Sequence, residues 1–519
     1  MTDAVETIHR VYTEREPIIK RIRDVMIGDE AVKAGGETYL PRLDGYTDEM
    51  YERYLNNGVL FSAASRTLHN STGLVFRKPI AVEDIQAIDS ETSQILKSNF
   101  LRDYRGSSLQ FGSYYFVKNV FSVGAHAIFV EFPDTTGNTI KSLKDFNEAM
   151  FEPYTVQFDV ENIINWDIDM RKKSYNFVVV KDDFYERYNR FQHNLVKRYL
   201  VLEIIDGKFV KEVWTMREQD DNWKVEQSIP SINGKPLTEI PLYTLETYPT
   251  MPMFLPLVNM NLAHYRLETA MYNGLPLIML PTPYIIGCRL NQTNLPDDDK
   301  NEKILPLGPA NAFYSEAPET KVGMFTYSGD GIKNYREELD SIERKMAVLG
   351  SRALSNEKKV AETEEVVNIH RAGENASIAM TVTLCSEIIT KAYRMMLRYK
   401  GVPEDKLDKV FINLNTDFIP STINLSITEL SKLFQDGLIT YKTAFENLRS
   451  SDVIAFETDF QEYEKEITKQ KEEKMKLAVS IFNQREGETV DDVVSNPVKA
   501  KETKDVKNTK QSNEEITQE

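Results

Sequence analysis

The sequence predicts an α+β protein, mainly helical, and three patterns carry that reading. Ile332, Tyr335, Leu339, Ile342, Met346, Leu349 and Ala353 recur at alternating spacings of three and four, the signature of an amphipathic helix. A second long helical pattern runs from about Glu364 to Tyr399, with Gly373 inside it as a candidate kink. Between about Ser122 and Leu245 the pattern changes to short runs rich in Val, Ile, Phe and Tyr, bounded by Asp, Asn, Gly and Pro, which is how strands read.

In chain order, Thr2 to about Leu101 reads as mainly helical, with breaks at Gly35-Gly36 and Pro41 and a packed stripe at Tyr51, Tyr54 and Leu55. The strand candidates are AHAIFVEFP, VQFDVENIINW, YNFVVVKDD and LVKRYLVLEII, with Asp206-Gly207 as a hairpin turn. After Pro252 and Pro256 the segment LVNMNLAHYRLETAMYNG predicts a helix that stops at Gly274. An irregular stretch to Gly331 follows, in which the apolar runs Ile278 to Ile286 and Phe325 to Tyr327 suit a small sheet. The helix from Ile332 to Ala353 is about 33 Å long with one narrow apolar seam, and its other faces carry Lys333, Arg336, Glu337, Glu338, Asp340, Glu343, Arg344 and Lys345. Such a helix packs in a larger assembly or lies on an ordinary surface, and periodicity alone does not choose. SNEKKVAETEE breaks the apolar pattern; by its residues alone it is a solvated loop. A strand candidate, VFINLNTDFIP, leads into a helical pair with Thr428 as N-cap and Gly437 as stop. Phe460 to about Phe482 reads as a charged helix, and Arg485 to Glu519, without aromatics, as a disordered tail.

Bulk properties bound the function. At 519 residues the chain has room for two to four domains, and 41% hydrophobic with 28% charged residues is ordinary for a globular protein. Its longest apolar stretch, Gly274 to Gly287, is too short to cross a bilayer and is interrupted by Pro276, Pro281 and Pro283, so no membrane partner is expected. The N-terminus lacks the apolar region of a signal peptide. Cys288 and Cys385 read as two reduced thiols and cannot build a disulfide framework or a cysteine zinc site. A net charge of −17 argues against tight nucleic-acid binding by a monomer, since phosphate contacts supply most non-specific affinity. An acidic wall nevertheless suits DNA that must slide.

Catalytic signatures are missing. The sequence contains no GxxxxGK[ST], GxSxG or HExxH, and its six histidines (His9, His69, His126, His193, His264, His370) are scattered. Asp167 and Asp169 form a D-x-D pair of a kind that holds a divalent ion in some nucleases, although a strand-end turn explains it as well. Asp297, Asp298 and Asp299 lack the spacing of a calcium loop. No catalytic residue, metal or cofactor is expected, and a structural or conducting protein is favoured over an enzyme.

Several segments, in order, resemble one family. TYLPRLDGYTDEMYERYL, SRTLHNSTGLVFRKP, ENIINWDIDM, FLPLVNMNLAHYRLETAMYNGLP, ILPLGPANAF, IERKMAVLGSRAL with GENASIAMTV, and LNTDFIPSTI with LSKLFQDGLITYKTAFENL are similar to the portal proteins of tailed bacteriophages, a family long described as a phage domain of unknown function. The resemblance covers most of Thr38 to Leu448; GENASIA departs from the typical form of its element, and some strand positions are more polar than expected.

The resemblance implies a ring, usually a dodecamer, around a central channel at one vertex of the virion, assembled in the host cytoplasm. Double-stranded viral DNA would pass through it without sequence readout, and its partners would be other copies of itself, the major capsid protein, the terminase large subunit and tail adaptors. It further implies a wing over residues 1–255 (β-rich from about 122), a first stem helix over 256–275, a clip over 276–331 and a second stem helix over 332–354. A channel loop over 355–363, a long kinked helix with a returning wing strand over 364–425, a crown over 426–483 and a disordered tail over 484–519 complete the map. On this map Asn356, Glu357, Lys358 and Lys359 lie near DNA. Ile332, Tyr335, Leu339, Ile342, Met346 and Leu349 form the stem seam, and Lys333, Arg336, Arg344 and Lys345 its charged flank. Two rival readings remain: another phage structural part, such as a tail adaptor or minor capsid protein, or a metal-dependent DNA-processing enzyme using Asp167 and Asp169.

Overall fold

The computed structural model describes residues 4–84, 88–100, 108–132, 152–245 (without 173, 219 and 233), 252–279, 282–286, 319, 321–325, 330–350, 364–416, 427–450, 453–454 and 460–486. About 53% of these are helical and 22% lie in strands, a mixed α/β content with no closed barrel. The chain divides into two compact units, Met1–Ile419 and Pro420–Glu519.

The first unit opens with helices. Helix α1 (Arg10–Ile27) turns Tyr12, Ile19, Ile22 and Val25 inward and gives way at Gly28, whose φ of 123° suits a residue without Cβ. α2 (Asp29–Ala34) follows. Then come α3 (Asp48–Asn57), capped by the Thr47 hydroxyl accepting from Met50 N–H, and α4 (Ala63–Val75). Beyond a short strand β1 (Ala81–Glu83) lie α5 (Ser90–Ser98), capped by Asp89, and α6 (Leu109–Val123). α6 is buried on most of its surface and ends at Gly124 in the left-handed region.

β2 (His126–Glu131) is buried along almost its whole length, because α6 covers it and because it is the middle strand between β3 (Tyr154–Asp159) and β12 (Leu242–Thr244). The larger sheet takes the antiparallel order β4 (Ile163–Asp169), β5 (Ser174–Lys181), β7 (His193–Ile205), β8 (Lys208–Met216), β9 (Lys224–Ser228). Asp206 and Gly207 both have positive φ and join β7 to β8 with Ile205 opposite Lys208, so the expected hairpin turn is present. Val178, Val180 and Leu202 are fully buried at the sheet centre, each worth about 2 kcal/mol of burial. β6 (Phe184–Arg187) pairs with the first residues of β7, and β10 (Ser231–Ile232) pairs with β11 (Lys235–Pro236) as a short antiparallel ribbon. The edge of β4 is met by α1: His9 N–H donates to Ile164 O at 2.8 Å, and the His9 ring stacks on Trp166.

After this body comes α7 (Leu255–Met279), then a two-stranded antiparallel ribbon of β13 (Thr282–Ile286) and β14 (Lys321–Phe325), and α8 (Asp330–Leu349) packed back against α7. The helix expected to stop at Gly274 instead runs through it and through Pro276 to Met279. Glycine and proline disfavour a helix interior by about 1 and 3 kcal/mol, so this last turn and a half forms against its local preference. The second helix starts two residues before Ile332, and Ala353 lies outside the described residues. α9 (Glu364–Tyr399) is a single helical segment across Gly373. Its C-terminal half buries Val382, Cys385, Ile389, Tyr393 and Met396 against β2, α6 and β15 (Phe411–Asn413), which pairs with β1; α10 (Glu404–Leu407) lies between.

The second unit contains α11 (Ile427–Gln435), α12 (Tyr441–Ser450) and α13 (Phe460–Glu486). Phe434, Tyr441, Phe445, Phe460 and Tyr463 form a chain of ring contacts that holds them, edge to face between Phe445 and Phe460 and tilted in the other pairs. Thr428 is not the N-cap: the helix is already formed at Ile427, so Thr428 lies in its first turn. Gly437, with φ of 70°, follows the end of that helix as expected. Arg485 belongs to α13, while residues 487–519 of the expected tail lie outside the described residues.

Candidate functional site

The candidate site is the antiparallel pair α7 and α8 with its ribbon, because it gathers most of the residues singled out from the sequence. α7 is fixed to the body by polar side chains in an otherwise apolar run. Asn261 is fully buried; its Oδ1 accepts from Ala64 N–H at 3.0 Å and its Nδ2 donates to Phe61 O at 2.7 Å. Ser62 makes no side-chain cap at the start of α4, so Asn261 satisfies one of that helix's first N–H groups from a different helix. Arg266 Nε donates to Tyr39 O at 2.6 Å. The Tyr265 hydroxyl is buried with no hydrogen-bond partner, and burial together with the Asp29 charge pushes its pKa up to about 12. Gly58 lies so close to Tyr265 and Thr269 that a Cβ there would come within 2.8 Å of both.

α8 answers with the seam. Leu339, Ile342 and Met346 are buried, Ile332 is half-buried, and Tyr335 and Leu349 at the two ends are exposed at 39% and 44%. His264 of α7, 3% exposed, sits between Glu268 on its own helix (Nδ1 to Oε2, 3.5 Å) and Glu343 on α8 (Nε2 to Oε1, 3.3 Å), with the Phe61 ring 5.4 Å away. At the far end Gly350 approaches Thr67 so closely that a Cβ would lie 2.8 Å from its hydroxyl.

The charged flank is exposed but largely answered within α8 itself. Lys333 lies 3.8 Å from Glu337 and Lys345 3.9 Å from Glu338, while Arg344 Nε donates to Asp340 O. Arg336 is exposed on the same helix. The surface is therefore a mixture of both signs. Asn356, Glu357, Lys358 and Lys359 lie outside the described residues, as do most of the expected clip and Asp297, Asp298 and Asp299.

Residues 253–400 match a family described as a domain of unknown function (DUF4055). No curated protein matches the chain. The matched segment begins just before α7 and ends just after α9, so it takes in the helix pair, the ribbon and the long helix that follows.

Elsewhere, Asp167 and Asp169 stand at the end of β4. Asp167 accepts from the Asn176 amide, and Asp169 Oδ1 accepts from the backbone N–H groups of Arg171 and Lys172, closing the turn to β5. Among the described residues no group of three His, Cys, Asp or Glu side chains is placed to hold a metal ion, and no helix is long and apolar enough to cross a membrane. A partly buried polar knot joins α1, α6, β2 and the end of β3: Arg23 reaches Glu161 at 2.5 Å, Asn119 at 2.6 Å and Asp159 at 3.1 Å, and His126 Nδ1 lies 3.4 Å from Asp159. Burial alone would raise the Asp159 pKa, but His126 and Arg23 outweigh it and hold the carboxyl below its ordinary value. Burial pushes the Cys385 thiol well up, which makes it an inert core side chain. Sequence reasoning missed Asn261 and the pairing of His264 with Glu343. The signal for the first was a polar residue inside a helical apolar run; the second joins residues 79 apart in sequence and left no local trace.

Proposed function

We propose that the chain is a portal protein of a tailed bacteriophage, a ring subunit around the channel through which double-stranded DNA enters and leaves the capsid. One observation carries the reading: an antiparallel helix pair, Leu255–Met279 and Asp330–Leu349, bears a β-ribbon at one end and is mounted on a mixed α/β body. A stem and clip would have this form, and it occupies the segment where the ordered resemblance is densest. The match of residues 253–400 to a domain of unknown function falls on the same segment.

In this reading α7 and α8 are the stem, the ribbon belongs to the clip, residues 355–363 form the channel loop, and residues 426–483 the crown. The mechanism is passive. A stem surface on which Lys333 and Lys345 are balanced by Glu337 and Glu338 offers phosphates little net attraction, so DNA slides instead of sticking. Lys358 and Lys359 touch phosphates transiently, without sequence readout. Force comes from ATP hydrolysis by the terminase docked on the ring, and the chain itself performs no chemistry. Capsid protein and tail adaptors bind its outer surfaces in the virion.

Lys358→Ala combined with Lys359→Ala tests the channel assignment. The double variant is expected to assemble normally and to package or retain less DNA. Normal genome filling would remove the channel-loop assignment.

A further inference from the structure

Between Glu52 and Glu83 the chain carries Arg53, Arg66, Arg77 and Lys78 and no Asp or Glu, whereas over the whole sequence acidic residues outnumber basic ones by 80 to 63. Helix α4 lies in the middle of this stretch. It buries Ala64, Thr67, Leu68, Ser71, Thr72 and Val75, and leaves Arg66, His69, Asn70 and Gly73 exposed. Spacings of three and four put those four residues on one helix face, about 100° wide. Helix geometry alone makes them a single surface.

No carboxylate shares that face, and among the described residues Arg66 has no ion-pair partner. His69 Nδ1 lies 2.7 Å from Ser65 O, which ties one edge of the ring and leaves the Nε2 edge for a ligand. Carboxylates toward the N-terminal end of α4 are engaged elsewhere. Glu268 and Glu343 are held on His264, whose ring is 5.4 Å from Phe61, and Asp29 on Lys33 and Leu60 N–H. Gly73 has open space where a Cβ would stand, so a bulky polymer can approach the helix closely there.

A guanidinium, an imidazole and an amide, with no apolar side chain among them, are the donors of a phosphate-backbone contact. A protein interface would call for an aromatic or aliphatic anchor, and a helix lying on a membrane for an exposed apolar side; Leu68 and Val75 of α4 are buried in the body. Position indicates the source of the phosphate. Gly350, at the end of α8, comes so close to Thr67 that a Cβ would lie 2.8 Å from its hydroxyl. Arg66 is thus next to the residue that meets the chain as it leaves α8 toward the assigned channel loop. We infer that the Arg66–His69–Asn70 face of α4 is a second contact for the phosphate backbone of duplex DNA, beside Lys358 and Lys359 and independent of base sequence. The inference rests on the portal reading. With one guanidinium per copy the contact is weak, and it gains strength by repetition around a ring.

Binding of a fluorescent duplex of about 40 base pairs to the full-length chain is measured by anisotropy between about 50 and 200 mM salt. Arg66→Glu is expected to weaken binding about three- to tenfold at the low-salt end and to lower the salt slope by about one. Gly73→Glu adds a carboxylate to the same face where a side chain meets nothing within 4 Å, and it is expected to act in the same direction even if Arg66→Glu fails to fold. Lys208→Glu, the same charge change at the exposed turn between β7 and β8, should leave affinity within about twofold. Wild-type affinity in both face variants, an equal loss in Lys208→Glu, or no binding by the unmodified chain would each overturn the inference; rings in the electron microscope would still leave the portal reading standing. Face-dependent DNA binding by a chain that stays monomeric would keep the contact and remove the portal reading. Loss of binding to phosphatidylserine vesicles in the face variants, with DNA binding unchanged, would assign the face to a lipid headgroup and overturn the inference.

Discussion

His264 Nε2 lies 3.3 Å from Glu343 Oε1, and this contact ties α7 to α8 across the helix pair. Its two partners contribute unequally, because His264 is buried and Glu343 is half exposed. His264→Ala is expected to lower stability by roughly 1–3 kcal/mol through a lost buried partner and a new cavity. Glu343→Gln should change it by less than about 1 kcal/mol. Urea midpoints of the two variants check this ordering; equal effects would mean that the pair contributes nothing through burial.

Asn261 is a second joint between α7 and the body. Asn261→Ala leaves Ala64 N–H and Phe61 C=O without their partner in a buried place. The expected loss is about 1–3 kcal/mol, and Asn261→Asp, which keeps the acceptor but removes the donor to Phe61 O, should also destabilise. Thermal unfolding of both variants reads the effect.

Two glycines of this region should respond in opposite directions. Gly58→Ala drives a methyl into Tyr265 and Thr269 and is expected to lower stability by roughly 1–3 kcal/mol. Gly274 lies in a helix, and a methyl added there would meet nothing within 4 Å, so Gly274→Ala should raise stability by about 0.5–1 kcal/mol. The same denaturation series measures both.

Acid should weaken the knot at Asp159. A carboxyl whose folded pKa is held below its ordinary value contributes stability that is present above about pH 4 and lost as the pH falls through the folded pKa. Asp159→Asn is therefore expected to flatten the acid side of the stability profile below about pH 4. An unchanged slope in the variant would show that other carboxyls govern acid unfolding.

Much of the architecture was legible because it rests on local pattern. The Asp206-Gly207 turn needed only two residues that tolerate positive φ, and the strands around it only their β-branched and aromatic runs. The seam of α8 was legible at Leu339, Ile342 and Met346, where a partner helix covers it, and less so at Tyr335 and Leu349, which periodicity treats alike but which are exposed. Helix ends were least legible. Gly274 and Pro276 are stop signals that the helix runs through, and Thr428 lies inside the helix it was expected to cap. Contacts such as Asn261 to Ala64 or Arg23 to Glu161 join residues more than a hundred positions apart, and no window of sequence reveals them. Of the candidate site, the helix pair was readable; the joint of His264 with Glu343 was not, since it joins residues 79 apart.

Electron microscopy of the purified full-length chain, across a range of protein concentration and salt, tests the portal reading most directly. Rings with a central hole wide enough for duplex DNA are predicted. A monomer under every assembly condition would contradict the account.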